Sequence, residues 1–244
     1  MYFILNTLKC NSFLGGIYLQ MKCFEKTCTH PTISSEILYL ANTTPQANVK
    51  IVHNEQLDPL AYAIGFGCKS NSSLIIGGIN ENDWLSTRML IMFARTLCNA
   101  LSRNIPISGI NISEIFSNKG VWIIPKFANV TSPSTAMNFI VDKIDPRQII
   151  ELTPGDEYIR YYPAWHNQTN VRLFAYIMAS STGYPIQNFN DYANEENNLC
   201  SWFAEHTQRP AYSMLIDKDT KSSLDDLELL FDRLLESLVI FASS

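Results

Sequence analysis

Apolar and polar positions along this chain alternate between a period near two and a period near 3.6, and the changes of period mark its elements. Residues 1–31 carry short apolar runs, with Leu14-Gly15-Gly16-Ile17 reading as a turn between two of them and Pro31 closing the segment. Ile37, Leu38 and Leu40 predict a short helix over Ser34–Ala41. Val49–His53 and Leu60–Phe66 read as strands, and Leu74-Ile75-Ile76 is apolar throughout, as a strand covered on both faces would be. From Trp84 to Ser102 the apolar set Leu85, Met89, Met92, Phe93, Leu97, Ala100 and Leu101 falls at helical spacing. Asn82 or Asp83 is placed to cap that helix.

Further on, Gly120–Pro125 reads as a second buried strand, and residues 128–146 show no regular period and are expected to be a loop. Gln148–Leu152 is a third central strand, Val171–Ser180 a helix and Ala211–Ile216 a late strand. Leu224, Leu227, Phe231, Leu234 and Leu238 form one stripe of a closing helix over Ser223–Phe241. Ser222 or Ser223 caps it, and Asp225 and Asp226 suit its positive end. Apolar strands alternating with helices predict an α/β three-layer sandwich: a mixed, mainly parallel central sheet with helices on both faces. With no repeat and no linker, residues 32–244 are expected to form one domain behind a lead-in over 1–31.

Composition narrows the partners. Charged residues make up 17% of the 244 and the net charge is −5, with no basic patch, so nucleic acid is not expected. No apolar run approaches the roughly 20 residues that span a bilayer. The apolar start lacks a basic flank and a small-residue cleavage site, which favours a cytoplasmic location over secretion. Cys10, Cys23, Cys28, Cys68, Cys98 and Cys200 are scattered and are expected to be reduced, mostly buried thiols. Cys23, Cys28 and His30 are too few for a closed zinc site.

Four stretches carry the candidate chemistry. In Ser73–Thr87 an apolar strand ends in Gly77-Gly78, a polar turn follows through Asn80-Glu81-Asn82-Asp83, and a helix begins at Trp84. Gly120–Pro125 is a strand ending in proline, and Ile149–Glu157 is a strand running into an acidic turn. Gly183-Tyr184, Cys200-Ser201-Trp202-Phe203 and Arg209–Ser213 complete the order. Over residues 48–242 this order resembles the zinc carboxypeptidase family. The most similar branch is that of the bacterial peptidases that cut γ-D-glutamyl-diaminopimelate links in peptidoglycan.

That resemblance implies a set of site positions and shows them altered. The family's H-x-x-E turn, which supplies two zinc ligands, falls on Asn80 and Asp83. Its third ligand, a histidine, falls on Leu152, and its catalytic glutamate on Leu215. Its substrate-gripping arginine, in N-R-N-F, falls on Met137, before Asn138-Phe139. Its N-P-D-G turn is replaced by Phe127-Ala128-Asn129-Val130-Thr131. Met137, Asn138, Asp156, Glu157, Tyr212 and Leu215 are expected to line the cleft.

A catalytic zinc needs about three protein ligands and a water. Asn80 offers a neutral amide oxygen, Leu152 offers nothing, and Asp83 stands alone. Without the ion there is no acidified water and no Lewis acid, and Leu215 removes the general base as well. Glu81, Asp83 and Asp156 give too few defined oxygens for calcium. His30, His53, His166 and His206 show no His-x-x-x-His pair, and His166 and His206 are expected in loops. No G-x-S-x-G elbow is present. The expectation is therefore a pseudopeptidase without a cofactor, whose apolar cleft takes a peptide or a peptidoglycan fragment. Two alternatives stay open: an active metallocarboxypeptidase with displaced ligands, for which zinc is the cofactor, and an assembly module that uses an outer surface.

Overall fold

Pro31 does not close a lead-in but opens a helix. It lies in the first turn of α1 (His30–Thr43), where its fixed φ suits the helix and its missing N–H has no partner to lose. The computed structural model describes residues 28–68, 70, 72–128, 133–162, 168–187 and 199–244. The expected lead-in turn, Cys10 and Cys23 lie outside them.

Strands β1 (Ala47–His53), β2 (Pro59–Gly67) and β3 (Ser72–Ile76) follow. The long helix α2 (Trp84–Arg103) turns a broad apolar face inward, from Leu85 to Leu101. A short α3 (Ile112–Ile115) precedes β4 (Gly120–Ile124), whose five residues are all buried. The stretch expected to be a loop holds α4 (Pro133–Ile144). Its buried Ala136, Met137, Ile140 and Ile144 recur at helical spacing.

Then come β5 (Gln148–Gly155), the four-residue β6 (Ile159–Tyr162) and α5 (Gln168–Thr182). They are followed by α6 (Leu199–Thr207), β7 (Ala211–Asp217) and α7 (Leu224–Ser243). Ser223 caps α7 through the Asp226 N–H.

The strands form one sheet in the order β1-β2-β4-β3-β5-β7-β6. The central four, β4-β3-β5-β7, pair in parallel, and the outer pairings are antiparallel. The sheet is thus mixed, and parallel where it is most deeply covered, as crossover helices require. On one face α1, α2, α5 and α7 pack over Ile75, Ile150, Leu152 and Met214. On the other, α4 and α6 pack over Leu74, Ile76, Ile149 and Ala211. No helix among the described residues is long and apolar enough to cross a membrane.

Candidate functional site

The parallel strands β3, β4, β5 and β7 deliver their carboxyl ends to one edge of the sheet, which in open α/β folds is where ligand sites form. At that edge the chain leaves β3 through Gly77 and Gly78. Gly78 has φ +61°, and a Cβ there would stand 2.4 Å from both the Pro125 carbonyl and Thr87 Oγ1. Only glycine lets the turn over residues 79–83 lie this close to the end of β4.

The Asp83 carboxylate and the carbonyls of Asn80 and Glu81 are taken up by the protein's own donors, while the side chains of Asn80, Glu81 and Asn82 are exposed. The Asp83 carboxylate accepts the Ser86 N–H at 3.0 Å and caps α2. Burial raises the Asp83 pKa above its ordinary value, against the hydrogen bonds from Ser86 and the charge of Lys126. Asn80 is exposed, and its carbonyl accepts the Asp83 N–H at 3.0 Å. The same carbonyl accepts from Lys126 Nζ at 2.9 Å, and the Glu81 carbonyl accepts from it at 2.7 Å. Lys126, two residues beyond β4, is only 4% exposed.

Leu152 and Leu215 are not brought together. Leu152 is 1% exposed and packs in the core beneath α2 and α7. It pairs with Met214, while Leu215 pairs with Thr153. Successive side chains on a strand point to opposite faces, so Leu215 shares its face with Glu151 and Thr153 and turns away from Leu152. Tyr212 lies in the α2/α7 layer, with its ring 5.6 Å from that of Phe174 and 6.0 Å from that of Phe241. Met137 is fully buried under α4, and its neighbour Asn138 is exposed. Asp156 pairs with Lys218 and Glu157 with Arg233 on the turn between β5 and β6. The turn residues Asn129, Val130 and Thr131, and His166, lie outside the described residues.

The residue that the sequence reading missed is Glu151. It pairs with Ile76 of β3 on one side and Ser213 of β7 on the other, and Ser213 pairs in turn with Arg160 of β6. Glu151, Ser213 and Arg160 thus form a polar row across three strands, on the face that Leu215 shares. Cys200 of α6 closes on it, with Sγ 3.8 Å from Glu151 Oε2 and 2.9 Å from the Tyr212 carbonyl. Glu151 retains some solvent contact, but atoms crowd its carboxyl. Burial, and then the charge of Asp83, push its pKa up to about 7. A charged residue inside the apolar run Ile149-Ile150-Glu151-Leu152 was the available signal, since such residues are rarely buried without a reason. The Cys200 thiol is also pushed well up, by burial and by Glu151, so it is a thiol and not a nucleophilic thiolate.

The donors present among the described residues do not fit a zinc ion. Among the described residues no group of three or more His, Cys, Asp or Glu side chains could hold a metal. His206 sits in the last turn of α6 rather than in a loop, stacked on Trp202 with ring centroids 4.2 Å apart. His30 is tilted on Tyr62, and His53 ends β1, exposed. Cys28, Cys98 and Cys200 are buried, and Cys68 is half-buried.

No family model matches the sequence, and no curated protein sequence is significantly similar to it. Solved structures do share its fold. Bovine thrombin-activatable fibrinolysis inhibitor, in complex with tick carboxypeptidase inhibitor, superposes with a TM-score of 0.69 at 11% identity, over 90% of this chain and 97% of that one. Carboxypeptidase A from Helicoverpa armigera gives 0.67 at 10% identity, over 90% and 73%. A metallo-carboxypeptidase from Burkholderia cenocepacia gives 0.58 at 8% identity, over 87% and 69%. At such identities the likeness is one of fold: the chain has the zinc-carboxypeptidase-like fold.

Proposed function

We propose, from the premise of a zinc-carboxypeptidase-like fold, that this chain is a zinc-free pseudopeptidase whose cleft binds a peptide or a peptidoglycan fragment without cutting it. The observation that carries this reading is the state of the Asn80–Asp83 turn. Of its two positions that fall on the family's ligands only Asp83 is a carboxylate, and it caps α2, while an internal ammonium is bonded to the carbonyls of Asn80 and Glu81. A metal drawing on this turn would have to break the cap and approach a fixed positive charge, and both oppose binding. Leu215 offers no proton acceptor to activate a water.

Among the described residues the displaced-ligand alternative would begin from Glu151 and Asp83, and the charge of Asp83 already adds to burial in raising the Glu151 pKa. A third donor for that pair is missing among the described residues.

The test is incubation of the protein, with and without added zinc, with peptides bearing a free carboxyl terminus and with a γ-D-glutamyl-diaminopimelate peptide. Chromatography should detect no product, while binding should appear in ligand-observed NMR. Release of a product that a chelator abolishes would overturn the reading.

A further inference from the structure

Lys126 is the feature the pseudopeptidase reading does not by itself account for. A charged side chain 4% exposed is costly unless its charge is compensated and its donors are satisfied. Here the ammonium donates to the carbonyls of Asn80 and Glu81, 46 and 45 residues earlier in the chain. Burial lowers the Lys126 pKa, and Asp83, in the same turn, is the leading charge that opposes this and favours the protonated form. Two backbone bonds flank the contact: Gly77 N–H to the Ile124 carbonyl at 3.0 Å, and Phe127 N–H to the Gly78 carbonyl at 3.3 Å. The absence of a Cβ on Gly78 leaves room for the lysine stem, whose Cδ would otherwise stand 2.9 Å away.

We infer that the Lys126 ammonium does the structural work of a bound cation in this fold, holding the Asn80–Asp83 turn against the end of β4 from within. The inference rests on the zinc-free reading of the site and assigns the turn's shape to one residue. Two carbonyl oxygens and a nearby carboxylate form an oxygen-rich environment that suits a cation, and the chain supplies that cation itself. An ammonium has three donors in a compact head, which matches two adjacent carbonyls better than an uncharged side chain of similar length would. The turn then needs no metal to keep its geometry, and α2 starts from a fixed cap.

Hydrogen exchange of the full chain, read at the amides of Asp83 and Ser86, tests this. Lys126→Met keeps an unbranched stem and removes the charge. It should speed exchange at both amides by about tenfold or more, because losing hydrogen bonds from a charged donor is worth at least roughly that factor in a local opening equilibrium. In Lys126→Ala, ethylammonium should slow the exchange again, and tetramethylammonium, which has no N–H, should not. If neither variant folds alone, refolding of Lys126→Ala with each amine is the deciding measurement, with recovery by ethylammonium only as the supporting result. Wild-type exchange in Lys126→Met, or no distinction between the two amines, would overturn the role of Lys126 and leave the zinc-free reading standing. Zinc binding by the wild-type protein in native mass spectrometry would instead overturn the zinc-free reading.

Discussion

Glu151→Gln is expected to stabilise the protein by up to roughly 3 kcal/mol near pH 8 and to change little near pH 4. The Glu151 carboxyl titrates at about 7 in the folded chain, against an ordinary value of 4.5. Below both values the acid is neutral, folded or unfolded, and contributes no difference. As the pH rises through the ordinary value, the unfolded chain releases this proton and the folded chain does not, so wild-type stability falls. The fall ends above the folded value, where the buried carboxylate exists in full. Glutamine keeps the shape and cannot ionise, so the variant should lack this component of the pH profile. Urea unfolding of both proteins at the two pH values measures it. Parallel profiles would mean that the carboxyl is solvated and that the polar row is open to water.

Leu152→His is expected to cost about 3–4 kcal/mol, among the largest effects of any single change near the site. The leucine is 1% exposed, in the core between the sheet and the helices α2 and α7. The substitution removes its packing and places two ring nitrogens where the neighbours are apolar. Glu151→His should be tolerated within about 1 kcal/mol, because that position already accommodates a polar side chain beside Ser213. Thermal melts of the two variants decide between the positions. If Leu152→His is mild and Glu151→His severe, the facing of β5 described above is reversed. With the facing as described, rebuilding the site through Asn80→His, Asp83→Glu, Leu152→His and Leu215→Glu is expected to damage the core and leave zinc without its third ligand.

The strands and long helices were legible because each carries a strong period. Leu74-Ile75-Ile76 and the stripe from Leu85 to Leu101 emerge from the pattern alone. The helix α4 was hidden because its four buried residues follow a Ser/Thr/Pro run that reads as loop. The four-residue edge strand β6 is too short for any period to show. At the site, the Gly77-Gly78 turn and the capping capacity of Asp83 are visible in the sequence, and the structure realises the cap. The role of Lys126 is not visible, since its partners are backbone carbonyls some 45 residues away. Glu151 was passed over because on a strand a shift of one residue exchanges the two faces. Motif spacing near the end of β5 could not tell the leucine on one face of the sheet from its neighbour on the other.

The zinc content of tag-free, mildly dialysed protein, by elemental mass spectrometry, tests the central claim most directly. The pseudopeptidase account predicts far less than one zinc per chain, both as isolated and after incubation with zinc and dialysis. About one tightly held zinc per chain, the content of an ordinary catalytic site, would contradict it.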